Sequence, residues 1–193
     1  YELLYRNSAN NAFPVGTSDE HATSRLFFNT LMLVGAEKLT AHQLAFVTLS
    51  TDALLDEFPK LLNAEHTVIE IVERTENIEL VTQRVTELKK AGYVFALDDY
   101  DAHKKWQPLL NLVDYIKLEV EEPIIKTTML LKKLKRNHPE VKIVVERIET
   151  YDEFRQLKEA GCDYFQGFFF AQPEMLSYGN VEPLKMAVFD LLR

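Results

Sequence analysis

Short apolar runs rich in β-branched and aromatic residues recur along the chain, at 45–49, 67–72, 93–97, 115–118, 141–145 and 164–169. Each has the length of a strand and is too short for a buried helix. Helical rhythm fills the gaps. Ile78, Val81, Val85 and Leu88 follow a three-four spacing, and Ile124, Leu131 and Leu134 follow it more loosely. Two helix ends nearly repeat each other, Leu88-Lys89-Lys90-Ala91-Gly92 and Leu157-Lys158-Glu159-Ala160-Gly161. In each, a glycine suited to a left-handed cap precedes a strand. Repeated β-α units with short connections predict an α/β fold in which helices cover a parallel sheet. Periodicity leaves both a barrel and a doubly wound sheet open. No glycine-rich phosphate loop follows a strand, which favours a TIM-like (β/α) barrel. Near the end, Leu184, Ala187, Val188, Leu191 and Leu192 form a stripe that predicts a last helix.

The predicted strands end in charge. Glu70 and Glu73 close the run that begins at 67, Asp98 and Asp99 follow 93–97, and Lys117 and Glu119 punctuate the next strand. Glu146 and Glu149 follow 141–145, and Gln166 sits within the last run. At the start, Glu2 and Arg6 lie four apart, hence on one face of a strand. Any one of these acids could simply cap the next helix. Together, at the carboxyl rim where β/α barrels carry their chemistry, several carboxylates with one lysine would repel strongly unless cations sat between them. Hard divalent ions such as Mg²⁺ or Mn²⁺ suit such oxygen donors.

Composition narrows the partners. The net charge of −8 argues against a nucleic-acid-binding surface. Cys162 is the single cysteine, so neither an internal disulfide nor a cysteine-rich metal site is available. The sequence has no apolar run of membrane-spanning length and no signal-peptide pattern. The expectation is a single domain over 1–193 in a reducing, cytoplasmic setting, without a membrane partner.

The charged strand ends also carry a family pattern. Glu2-Leu3-Leu4-Tyr5-Arg6 resembles the Glu-Ala-Leu-x-Arg signature of the EAL domain. Glu70-Ile71-Val72-Glu73 resembles its Glu-x-Thr-Glu motif, Leu97-Asp98-Asp99-Tyr100 its Asp-Asp-Phe-Gly motif, and Lys117-Leu118-Glu119 its Lys-x-Asp. Glu146-Arg147-Ile148-Glu149 is similar to Glu-Gly-Val-Glu, and the run from Gln166-Gly167 to Pro173 to the closing Gln-Gly motif. The resemblance implies a barrel that cleaves or binds cyclic di-GMP with Mg²⁺ or Mn²⁺. It assigns Glu2, Glu70, Asp98 and Asp99 to the metals, and Lys117 and Glu146 to the attacking water. Glu149 and Gln166 would support the site, and Arg6 would meet a ligand phosphate.

Departures from the pattern are equally specific. Thr48 stands where the family has an asparagine ligand. The loop after Asp99 is shorter than the family's and lacks its glycines, Glu119 replaces aspartate, and Gln172 replaces a basic residue. These changes imply a signalling or interaction module with a degenerate catalytic site; the alternative is a working phosphodiesterase yielding pGpG. The opening motif and altered loop look most like EAL domains fused to an HDOD domain, so a protein partner or an HDOD-like domain after residue 193 is expected. Family members begin with a further strand antiparallel to the one carrying Glu2. That strand is missing here, so the expectation is an open seam, or a neighbouring chain such as a second copy in a homodimer filling it.

Overall fold

A computed structural model describes residues 1–6, 40, 43–172, 174–176 and 185–189, with the backbone alone for 4–6, 174–176 and 185–189. Its strands are β1 (Glu2–Arg6), β2 (Ala45–Leu49), β3 (Thr67–Ile71), β4 (Val94–Leu97), β5 (Tyr115–Glu119), β6 (Lys142–Glu146), β7 (Tyr164–Phe165), β8 (Glu174–Leu176) and β9 (Lys185–Phe189). The helices are α1 (Thr51–Leu55), α2 (Ile78–Lys90), α3 (Ile125–Asn137) and α4 (Tyr151–Glu159). Strands β1 to β7 pair parallel in sequence order. This is the expected alternating β/α sheet.

Period-two alternation along the strands sorts the side chains into two layers. One set, including Val47, Ile69, Phe95, Ile116, Ile143 and Phe165, joins Val81, Val85 and Leu88 of α2, Leu131 and Leu134 of α3, and Leu157 of α4 in the main core. The register puts the other set on the concave face. There Phe46, Val68 and Ala96 form a smaller buried cluster with Val94 and Tyr115. Two residues further along β2, β3, β4 and β5, the same face presents Thr48, Glu70, Asp98 and Lys117. An apolar plug at one end of the concave face and charge at the other follow directly from that alternation.

The repeated helix ends behave as their sequences predict. Gly92 and Gly161 take φ of 92° and 94°, where a side chain would be strained. Each returning strand is pinned in a matching way. Asp114 accepts from Phe95 N and from Lys89 Nζ, and Asp163 accepts from Ile143 N and from Lys135 Nζ.

Two expectations are corrected. The apolar stripe 184–192 is not a helix through its centre, because Lys185–Phe189 form β9, antiparallel to β1 from Glu2↔Phe189 to Arg6↔Lys185. The expected open seam is therefore filled by this chain's own strand. A short apolar run does not discriminate helix from strand by itself, and the backbone groups on the free edge of β1 decide the outcome. Leu184, Leu191 and Leu192 lie outside the described residues. The run 164–169 is a strand only at Tyr164–Phe165. It then turns at Gly167, whose carbonyl accepts from Phe170 N. A Cβ on Gly167 would lie 2.1 Å from the Ile148 carbonyl oxygen, so only glycine lets these two backbones meet.

Candidate functional site

Lys117 is the centre of the charged rim. Its side chain is 1 % exposed, and its ammonium lies 2.7 Å from Glu70 Oε1, 2.8 Å from Glu146 Oε1, 2.9 Å from Asp98 Oδ1 and 3.2 Å from Glu2 Oε1. These acids come from β1, β3, β6 and the end of β4. Glu2 also binds Gln166, whose Nε2 donates to Glu2 Oε2 at 2.7 Å. Glu2 lies on the first strand of the parallel run and Gln166 directly follows the last, so that hydrogen bond measures how far the sheet curls. Thr48 Oγ1 donates to Glu70 Oε2 at 2.7 Å. Both oxygens of Glu70 are thus engaged, one by the ammonium and one by the hydroxyl.

Charge balance in this cluster is unfavourable without further cations. Burial, and then the charges of Glu2 and Asp98, push Glu70 up to about 8 against the opposing pull of Lys117. Glu146 is raised well above the carboxylate range for the same reasons, burial first. Burial, then Asp98, Glu119 and Glu73, push Asp99 up to about 7. Burial alone would lower Lys117, but the surrounding carboxylates outweigh it and hold it well above its ordinary value. Groups raised in this way hold protons in default of another positive charge.

Asp98, Asp99 and Glu146 each turn a carboxylate oxygen to a common point, within 4.8 Å of one another. Gln166 Oε1 is buried close by without a hydrogen-bond partner. All are hard oxygen donors of the kind that suits a divalent ion. Over them opens a cleft of about 530 Å³. Glu2, Glu73, Asp98, Asp99, Glu119, Glu146 and Glu149 line it with seven carboxylates, and Arg74 and Arg147 with two guanidinium groups.

The structure thus gathers Glu2, Glu70, Asp98, Lys117, Glu146 and Gln166 within one network, with Asp99 adjoining it. Glu149 is exposed and lines the cleft without joining that network. Arg6 ends β1, and its side chain lies outside the described residues. Gln172 is exposed and is not among the lining residues.

The glycine-free loop after Asp99 is well anchored. Asp101 Oδ1 accepts from His103 N and from Trp106 Nε1, both at 2.9 Å, and Trp106 is fully buried. Lys105 Nζ donates to the Glu73 carbonyl and stands 4.4 Å from the centre of the Trp106 ring. Glu73 therefore keeps contact with the loop through its backbone. Arg147 was not singled out by sequence reasoning, although its place directly after Glu146 at a strand end could have drawn attention.

A curled parallel β/α sheet with carboxylates and one lysine at its carboxyl rim defines a β/α barrel protein of the rim-chemistry kind. Comparison with known proteins narrows this. A family model described as the EAL domain matches residues 35–173. The chain is 30% identical to the cyclic di-GMP phosphodiesterase CdgJ of Vibrio cholerae, over its whole length and 45% of that protein. It is also 30% identical to the protein YuxH of Bacillus subtilis, covering 48% of it. It spans about half the length of these curated relatives. Among solved structures, the FimX EAL domain superposes with a TM-score of 0.68 at 21% identity, covering 90% of this chain and 83% of that one. The PaMucR phosphodiesterase in complex with c-di-GMP gives 0.67 at 18% identity, covering 87% and 80%. The chain belongs to the EAL-domain family.

Proposed function

We propose that this EAL domain is a cyclic-di-GMP signalling module that binds a divalent cation and the dinucleotide but hydrolyses it poorly. The observation that carries the reading is the commitment of Glu70. Its two oxygens are held by Lys117 and by the Thr48 hydroxyl, at 2.7 Å each. A family-like asparagine at position 48 would offer an amide oxygen as a further donor; the threonine spends its hydroxyl proton on a neighbouring carboxylate.

Asp98, Asp99 and Glu146 would hold Mg²⁺ or Mn²⁺, with Glu2 and Glu70 behind them around Lys117. When bound, the ion would supply Lewis acidity toward a phosphoryl oxygen and lower the pKa of a coordinated water. The chain's own residues do the rest. Lys117, locked by four carboxylates, holds their geometry and cannot easily give up its proton. Gln166 fixes Glu2 through its amide nitrogen and leaves its carbonyl oxygen facing the site. Glu146 is positioned to accept a proton from an attacking water, provided a cation displaces the proton it otherwise retains.

A working phosphodiesterase is the second reading. The convergence of Asp98, Asp99 and Glu146 favours it, as does the phosphodiesterase relative of 30% identity. The deciding experiment follows pGpG formation by chromatography with the full-length protein and Mg²⁺ or Mn²⁺. Little turnover is expected, and Thr48→Asn alone should not restore it, because the shortened, glycine-free loop after Asp99 is a second departure from the family. Robust wild-type turnover abolished by Glu2→Ala would establish the enzyme instead.

A further inference from the structure

The cleft poses an electrostatic difficulty for an anionic ligand. Among the described residues, seven carboxylates line it against two arginines. A cation bound by Asp98, Asp99 and Glu146 would offset part of that field at the cleft floor and leave the acids toward the mouth uncompensated. A phosphodiester therefore needs a positive side chain placed outside the carboxylate cluster.

Arg147 meets that need by its backbone as much as by its charge. It follows directly after Glu146, whose carboxylate is bound to Lys117. It also precedes Ile148, which is fully buried. Ile148 N donates to the Gln166 carbonyl at 3.1 Å, and the Ile148 carbonyl accepts from Phe169 N at 3.1 Å. With both neighbours fixed, Arg147 itself adopts φ 59°, a left-handed conformation that an arginine rarely takes. The turn projects its side chain, 71 % exposed, into the cleft lining, where the guanidinium pairs with Glu119. An ion pair with one member so open to water contributes little, and either partner can be exchanged.

We propose that Arg147 is a phosphate-binding residue of this cleft, held in reserve by Glu119 and transferred to a ligand phosphate on binding. The inference rests on the reading of the domain as a cyclic-di-GMP-binding module and adds a recognition residue to it. A guanidinium presents paired donors that match two phosphate oxygens, which a carboxylate partner at the same site mimics. Glu119 thus occupies in the free protein the place of the ligand's anionic group.

The test uses the full-length protein with Mn²⁺ and cyclic di-GMP, followed by calorimetric titration at two salt concentrations. Arg147→Gly relieves the backbone strain, so the variant should unfold at the wild-type temperature or above. It should nevertheless bind about 10- to 100-fold more weakly, with a shallower salt dependence. Arg147→Lys keeps the charge without the fork and should fall between the two. Glu119→Gln frees the arginine and should tighten binding by about two- to fivefold. That gain should vanish in the Arg147→Gly background. A purely structural role for Arg147 would not reproduce this coupling. Wild-type binding that Arg147→Gly leaves within twofold overturns this inference alone. No wild-type binding overturns the functional reading and this inference with it.

Discussion

Replacing Lys117 by methionine keeps the stem and removes the charge. The ammonium it deletes stands 3.2 Å or less from four carboxylates, and its side chain is 1 % exposed. Breaking one partner of a buried ion pair costs about 3–5 kcal/mol, and here one deletion strands several acids together. Not all of that loss will appear at every pH. With the lysine gone, Glu70 and Glu146 lose the interaction that pulls their pKa values down, so they rise further above values already elevated by burial. At pH 5 they can take protons and blunt the repulsion; at pH 8 they must ionise or hold protons at greater cost. Urea unfolding of metal-free protein at both values is the assay. The expected loss is about 3–5 kcal/mol at pH 8 and distinctly less at pH 5. A loss below about 1 kcal/mol at pH 8, or one independent of pH, would refute the claim that Lys117 organises the rim.

Lys89→Met is a useful contrast, because the Lys89–Asp114 pair is about one-third exposed; chemical denaturation should show a loss no larger than about 1 kcal/mol. Gly167→Ala places a Cβ 2.1 Å from the Ile148 carbonyl oxygen. It should cost about 1–3 kcal/mol or more, read by thermal unfolding, and any gain in stability would contradict the close approach. In metal-free wild type, Glu70 should contribute a pH dependence of definite sign. Its folded value of about 8 lies above its ordinary 4.5, so the folded state binds more protons between those values. That contribution is fully present below pH 4.5 and lost as pH rises toward 8. Mn²⁺ should shift the balance the other way, raising the melting temperature more at pH 8 than at pH 6 and releasing protons on binding, both measurable by calorimetry.

Much of this was legible in the sequence, and the failures have physical causes. The parallel strands could be read because each is an apolar run closed by a glycine-capped helix or a charged strand end, as at Gly92 and Asp98. The rim residues could be read because charged side chains such as Asp98 and Lys117 punctuate the ends of the apolar runs and match the EAL motifs in order. The last strand could not. Lys185–Phe189 is too short for its periodicity to identify it, and its conformation depends on the free edge of β1, far away in sequence. Likewise, 164–169 has strand composition, yet Gly167 must turn to meet Ile148. The glycine-free loop gives no local sign that Trp106 would be buried and tied to Asp101. Arg147 was hidden because a left-handed arginine has no signature in composition or spacing.

The arrangement around Lys117 also explains why an acidic cluster can exist here without unfolding the sheet. Four carboxylates, Glu2, Glu70, Asp98 and Glu146, face one ammonium. Four negative charges less one positive leave three, before Asp99 is counted. Protons on the raised groups can neutralise part of that excess, and a divalent cation can neutralise two charges of it at once. The two solutions are mutually exclusive at Glu146 and Asp99, which would have to lose their protons to bind a cation. Lys117 is common to both. It supplies a fixed positive charge among the acids, and on cation binding the groups nearest the cleft would be the ones to change occupants. A rim built this way would take up a cation by giving up protons at Glu146 and Asp99, with the buried Lys117 charge retained throughout.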